Sequence, residues 1–159
     1  MADKTVTVRP SGGTYTTLQA AITGEVTANA NLTAAGMNGI LTISIEGTWS
    51  SADATAVSVT GFTVDSTHYV NIITDSANRA GTAWSTAKYR NQSTQSVPTI
   101  LLTNNYTRIT GVQANNTSAS RSSIRIVGTN CVVDSCHCIG GGDYGPLDIE
   151  GGEASVIVN

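Results

Sequence analysis

Charge is scarce in this chain. Of 159 residues, eight are Lys or Arg and eleven are Asp or Glu, which gives a net charge of −3. No basic stripe exists, so nucleic-acid binding, whose affinity comes mainly from clustered cations, is excluded as an expectation. Attachment to an anionic membrane surface is excluded on the same ground. Aromatic residues make up 5%. No apolar run approaches the roughly 18 residues that a membrane helix needs, so membrane insertion is not expected. The start, Met1-Ala2-Asp3-Lys4, has neither a basic n-region nor an apolar h-region, so no signal peptide is read there. The Glu, Lys, Leu and Ala of a helical bundle are thin at helical spacing. Disorder is not expected either, because the hydrophobic share is an ordinary 40%.

Cysteine is limited to Cys131, Cys136 and Cys138. An odd number without an export signal argues against a disulfide framework. Cys136-His137-Cys138 would put neighbouring side chains on opposite faces of a strand, which is poor chelating geometry. The three cysteines therefore read as small buried hydrophobes, with no metal and no cofactor expected. Glycosylation sequons start at Asn31, Asn91, Asn105 and Asn115. In a chain this rich in Asn and Thr they are expected by chance and read as unmodified.

What the chain has in plenty is Ser, Thr and Asn, together roughly a third of it, and 16 Gly. Thr5-Val6-Thr7-Val8 alternates as a short strand, and Pro10-Ser11-Gly12-Gly13 breaks it. Tyr15–Ile22 reads as a helix, with Thr16 and Gln19 at capping-box spacing and Leu18, Ala21 and Ile22 on one face. A second short helix is placed in Val26–Ala35, and Asn38-Gly39 is a turn. Strands follow at Leu41–Glu46, Val57–Val59, Phe62–Val64 and Tyr69–Thr74. Leu41, Ile43 and Ile45 are expected to face inward. The stretch 75–97 has no sustained period and reads as a long surface excursion.

The last sixty or so residues carry a repeat. Shifting by 24 lays Ile100 on Ile124, Leu102 on Ile126, Ile109 on Val133 and Val112 on Cys136. Shifting by 23 lays Ile124 on Leu147 and Ile126 on Ile149, with Val133 beside Val156 and Ile157. One such unit cannot bury its own apolar face, so the units must stack. Leucine-rich repeats are excluded, because Leu is missing from their fixed positions. β-Branched residues, Asn and Gly turns and the lack of helices between strands predict an all-β fold, a right-handed parallel β-helix. In that register Arg125 stands over Asp148 on an outer face, as a ladder ion pair worth little while exposed. The division expected is an N-terminal strand and helical cap over 1–39, then stacked coils over 40–159. The chain stops within strand-like sequence at Ala154–Asn159. Two readings stay open there: a partner covers the end, or the native protein continues and this is its N-terminal piece.

The segment Val6-Thr7-Val8-Arg9-Pro10-Ser11-Gly12-Gly13-Thr14-Tyr15-Thr16-Thr17-Leu18-Gln19-Ala20-Ala21-Ile22 resembles the N-terminus of the pectin-lyase-like right-handed parallel β-helix superfamily. In that superfamily a strand, a Gly-rich turn and a Tyr/Phe-x-Thr-Leu/Ile-Gln-x-Ala-Ile helix cap the bottom of the coil stack. The resemblance is fairly specific over these residues and generic over the repeats. It is closest in character to virion proteins of tailed phages and prophages. It implies a structural module of a tail fibre, tailspike or capsid decoration, with a stiff scaffold and outward rows that offer hydrogen bonds to sugars. The implied partners are copies of the same chain, a trimer foremost, other virion proteins and a host-surface polysaccharide. The implied location is the virion, assembled in the host cytoplasm, or alternatively the extracellular space.

The alternatives are a polysaccharide lyase or glycosidase, or a bacterial surface adhesin. The pectin esterase pattern, a Gln-Asp pair and Gly-x-x-Asp-Phe-Ile-Phe-Gly, does not occur. Nor do the Asn-Thr-Asp and Arg-Ile-Lys motifs of polygalacturonases, since Arg125-Ile126-Val127 departs from the latter. The carboxylates Asp134, Asp143, Asp148 and Glu150 do not form the stacked calcium set of a pectate lyase. No family catalytic residue carries over. Asp148 and Glu150 remain the candidate catalytic pair. Two apart on a strand, they lie roughly 6–7 Å from each other, within the about 5–10 Å that glycosidases use. Their plainer reading is a solvated face. Trp84 and Tyr89, in the excursion, are candidate binding residues for stacking on a sugar or partner, and Trp49 is a third aromatic of that kind. Their plainer reading is that they pin the loop to the wall. His68 and His137 read as structural.

Overall fold

A computed structural model describes residues 2–118, 121–140 and 142–150. Strands dominate, all pairings between named strands are parallel, and one helix is present among the described residues. The order is β1 (Lys4–Val8), α1 (Leu18–Asn29), β2 (Leu41–Ile45), β3 (Val57–Val59), β4 (Val70–Thr74), β5 (Arg90–Ser93) and β6 (Ile100–Leu102). Then come β7 (Arg108–Thr110), β8 (Gln113–Asn116), β9 (Ile124–Ile126), β10 (Val132–Asp134), β11 (His137–Gly140) and β12 (Leu147–Ile149), with a single 3-10 turn at Gly142–Tyr144.

The strands form three sheets. The first runs β1-β2-β4-β7-β10, the second β5-β8-β11 and the third β3-β6-β9-β12. From β4 to β12 the chain visits the first, second and third sheets in turn and then begins again. One circuit earlier, Asp53 occupies the second-sheet position through a parallel bridge to Asn91. Neighbours in each sheet are therefore one circuit apart in sequence. The pairings Ile100 with Ile124, Ile109 with Val133 and Ile124 with Leu147 are those of the sequence repeat. The part of that alignment at Val156 and Ile157 lies outside the described residues.

Period-2 alternation explains the core. Val6, Ile43, Ile72, Ile109 and Val133 stack as one buried row on the first sheet. Val59, Leu102 and Ile126 stack as another on the third sheet. The inner side of the second sheet is different. It carries Asn91 and Ser93 on β5, then Ala114 and Asn116 on β8. Buried amides need partners, and the corners supply them for the side-chain N–H groups. Asn91 Nδ2 donates to the carbonyls of Asp53 and Thr55 at 3.0 and 2.9 Å, and Asn116 Nδ2 donates to Val97 O at 2.7 Å.

The helix packs against β1 and β3, the end strands of the first and third sheets. It buries Leu18, Ala21 and Ile22, as expected. Its N-cap is Thr17 rather than Thr16: Thr17 has extended dihedrals and accepts from Ala20 N at 3.2 Å. Gln19 closes no capping box. Its amide instead accepts from Ser58 N at 2.7 Å and donates to Thr23 Oγ1 at 3.0 Å, tying the helix to β3. The helix runs to Asn29, so the separate helix expected in 26–35 does not form. Phe62–Val64 makes a single bridge, Thr63 to Asn31, instead of a strand.

One further expectation is corrected. The stretch 75–97 is no pure excursion, because it contains β5, a full member of the second sheet. Asn91 is an inward residue of that strand, so its side chain is buried. The cysteines are free, with Cys131 buried and Cys136 and Cys138 half-buried against the core. Burial pushes the thiols of Cys136 and Cys138 up, to about 11 and about 12. Among the described residues no group of His, Cys, Asp and Glu has the makings of a metal site, and no helix is long and apolar enough to cross a membrane.

Candidate functional site

The outer side of the second sheet carries one row of long polar side chains: Arg90 on β5, Gln113 on β8 and His137 on β11. The segment 75–89 folds back over this row. Its first turn is set by Asp75, whose Oδ1 accepts from Asn78 N at 2.8 Å, while Asn78 Nδ2 reaches Gly47 O at 2.6 Å. Arg79 then lies across Gly111, where a Cβ would come within 2.6 Å of the Arg79 side chain and φ is +76°. Only glycine meets both conditions there. Ala80 N donates to Gly111 O at 2.7 Å.

Gln113 holds the centre of the segment. Its Oε1 accepts from Ser85 N at 2.6 Å, and its Nε2 donates to the carbonyls of Ser85 and Tyr89, both at 3.0 Å. The side-chain amide thus pairs with Ser85 as a neighbouring strand would. The Arg90 guanidinium donates to the carbonyls of Thr86 and Lys88. Arg90 and Gln113 are buried under this roof although they face outward from the sheet.

At the open edge of the roof stands His137. Trp84 meets it edge-on, with ring centroids 6.1 Å apart, and its Nδ1 lies 3.4 Å from Gly81 O. Beside them is a groove of about 450 Å³, walled by Ala80, Gly81 and Thr82 from the segment and by Ser135, Cys136 and His137 from the sheet corner. Trp84 is half-buried. Nothing in the groove is a nucleophile activated by a base. It is a recess with one imidazole, one thiol and small hydroxyls, with the Trp84 indole against the outer side of His137, suited to binding.

Tyr89 does not join Trp84. It precedes outward Arg90 and therefore points inward, where it is fully buried. Its ring meets Trp49 in a T-shaped contact at 4.8 Å, and its hydroxyl donates to Asp53 Oδ2 at 3.3 Å. The expectation that Tyr89 stacks on a ligand is thereby corrected. Trp49 is likewise buried, with its indole N–H on Glu46 O at 2.9 Å.

Asp148 and Glu150 both turn to Arg125, beside Asp148 in the register of the third sheet. Arg125 Nε lies 3.5 Å from Asp148 Oδ2, close enough for ion pairing but not aligned as a hydrogen bond. Arg125 Nη2 meets Glu150 Oε2, and this contact holds the Glu150 carboxyl below its ordinary value. A glycosidase acid needs the opposite shift. The two carboxylates are therefore arranged as partners of one cation.

Sequence reasoning missed Gln113, Asp53 and the Asp65–His68 pair. His68 Nδ1 lies 2.9 Å from Asp65 and its Nε2 lies 3.0 Å from Asn38 Oδ1, so it is the structural histidine expected. The hydrogen bonds from His68 and Thr67 hold the Asp65 carboxyl well below the usual range. Asp53 sits in Ser-Ala-Asp-Ala, which carries no signal. Comparison with protein-family models, with curated proteins and with solved structures finds no match for this chain.

Proposed function

We propose that the chain is a right-handed parallel β-helix of the pectin-lyase-like kind, serving as a structural module of a phage virion protein. The supporting observation is the cyclic return of one chain to three parallel sheets, in register every 23 or 24 residues. A helix that buries Leu18, Ala21 and Ile22 lies on the end strands, as the resemblance of residues 6–22 implies. Strands in such a stack bond mainly to the next circuit, so the unit is stiff along the stacking direction and suited to a fibre or spike. Its outward rows are rich in Thr, Ser and Asn, and these match the hydroxyls of a host polysaccharide. The groove beside Trp84 is the place where a sugar ring would stack. The work is mechanical and adhesive; among the described residues the candidate pair Asp148 and Glu150 is occupied by Arg125.

Trimeric association is part of this reading, and its test is sedimentation of the full-length protein. A trimer is expected. A strict monomer with no self-association overturns the fibre or spike assignment. Retention of the folded protein on immobilised host polysaccharide, lost on Trp84→Ala, tests the adhesive part.

A further inference from the structure

Away from the groove, one cluster brings together an amine, a carboxamide and a buried carboxylate. Lys4 Nζ, from β1, donates to Glu25 Oε2 at 2.8 Å. Asn29 Nδ2, in the last turn of α1, donates to the same oxygen at 3.0 Å. Tyr15 Oη donates to Oε1 at 3.0 Å. The Glu25 side chain is 2% exposed, whereas the Lys4 side chain is 38% exposed and reaches in with its amine. Tyr15 can lie across the helix only because residue 24 is glycine: a Cβ there would stand 2.5 Å from the Tyr15 hydroxyl.

Such a cluster serves well enough as a buried ion pair. It is also more than an ion pair needs, because an amine and a carboxamide nitrogen donate to one carboxylate oxygen. We propose that Lys4 and Asn29 become joined by an intramolecular isopeptide bond. The Glu25 carboxylate takes a proton from the Lys4 ammonium, which frees the amine's lone pair. The free amine attacks Asn29 Cγ. The Glu25 carboxyl group returns the proton to the departing amide nitrogen. The Nζ–Cγ bond forms and the Cγ–Nδ2 bond breaks; Glu25 then takes the second proton from the new amide nitrogen and passes it to the leaving ammonia, which departs as ammonium, so Glu25 ends as it began. No oxidant or co-reactant enters. Lasting proximity in the folded chain supplies the effective concentration that this slow acyl transfer requires.

The bond would lock the last turn of α1 to β1, the end strand of the first sheet. It would close the helix onto the end of the stack and keep it there under load. This inference does not depend on the viral reading.

The test is the intact mass of the folded full-length protein, with removal of Met1 taken into account. The expected mass is one ammonia below that of the sequence. A proteolytic map should then contain a branched species joining the Lys4 peptide to the Asn29 peptide. Asn29→Ala should restore the sequence mass while leaving the Lys4–Glu25 pair in place, so the test stands even if Glu25→Gln fails to fold. Loss of ammonia that persists in Asn29→Ala, as succinimide formation at Asn38-Gly39 would give, overturns the proposal. A wild-type mass equal to the sequence mass after prolonged incubation overturns it as well.

Discussion

Tyr89 and Asp53 meet inside the stack: the phenol donates to Asp53 Oδ2 at 3.3 Å, and the same oxygen accepts from Leu18 N at 2.9 Å. One carboxylate thus joins the second sheet to the first turn of the helix, and it sits where the helix dipole favours negative charge. Asp53→Ala leaves the Leu18 N–H and the Tyr89 hydroxyl without this acceptor, and a loss of about 1–3 kcal/mol is expected in urea unfolding. Asp53→Asn keeps an acceptor and should lose less.

The same contact carries a pH signature. Burial pushes the Asp53 carboxyl above its ordinary value of 3.8, against the hydrogen bonds from Leu18, Thr55 and Tyr89 that pull it down. A folded-state value above the unfolded one means that the native state holds the proton more tightly. This group's stability is therefore full below the unfolded value and is lost as pH rises through the folded value. Urea midpoints measured at increasing pH from about 4 should contain a falling component that Asp53→Asn removes. An identical pH profile in the variant would show that Asp53 does not titrate in this way.

Gln113 is the clip of the roof. Gln113→Ala deletes three hydrogen bonds to the segment 85–89 and none within the sheet ladder. The expected result is local opening: faster trypsin cleavage after Arg79 and Lys88 and a red-shifted Trp84 emission, with β content kept. Cleavage at the wild-type rate would mean that Arg90 and Arg79 hold the segment without it.

Ile109 lies in the first sheet's inner row, between Ile72 and Val133. Ile109→Ala should cost about 2–5 kcal/mol. Thr110→Ala, one residue along and outward, should stay within about 0.5 kcal/mol. Equal costs at the two positions would contradict the assigned alternation.

Arg125 answers whether the carboxylates are chemical or structural. Glu150→Gln should leave the fold intact and abolish no polysaccharide turnover, because Arg125 already occupies Glu150. A reducing-end assay on the wild type and this variant checks it; turnover present in the wild type and absent in Glu150→Gln would revive the enzyme reading.

Much of the fold was legible because apolar side chains recur at positions that stacking must align. Ile100, Ile124 and Leu147 name the register by themselves, and Arg125 over Asp148 follows from it. The second sheet was hidden, since β5 reads Arg-Asn-Gln-Ser and its inward residues are polar. Hydrophobic periodicity has nothing to detect there, and side-chain amides bonded to corner carbonyls replace apolar burial. For the same reason the inward direction of Tyr89 is not legible in the sequence: it follows only once Arg90 is known to begin a strand. The capping error at Thr16 and Thr17 reflects two adjacent hydroxyls of equal chemistry, distinguished only by the backbone that Tyr15 fixes through its bridge to Val8.

The central claim is that neighbouring strands are successive circuits of one chain, running the same way. A crystal structure or image reconstruction of the protein tests it most directly. It should show Leu101 beside Arg125 and Arg125 beside Asp148 on strands that run parallel. Antiparallel neighbours in that sheet, as in a hairpin stack or a sandwich, would contradict the account and the viral assignment built on it.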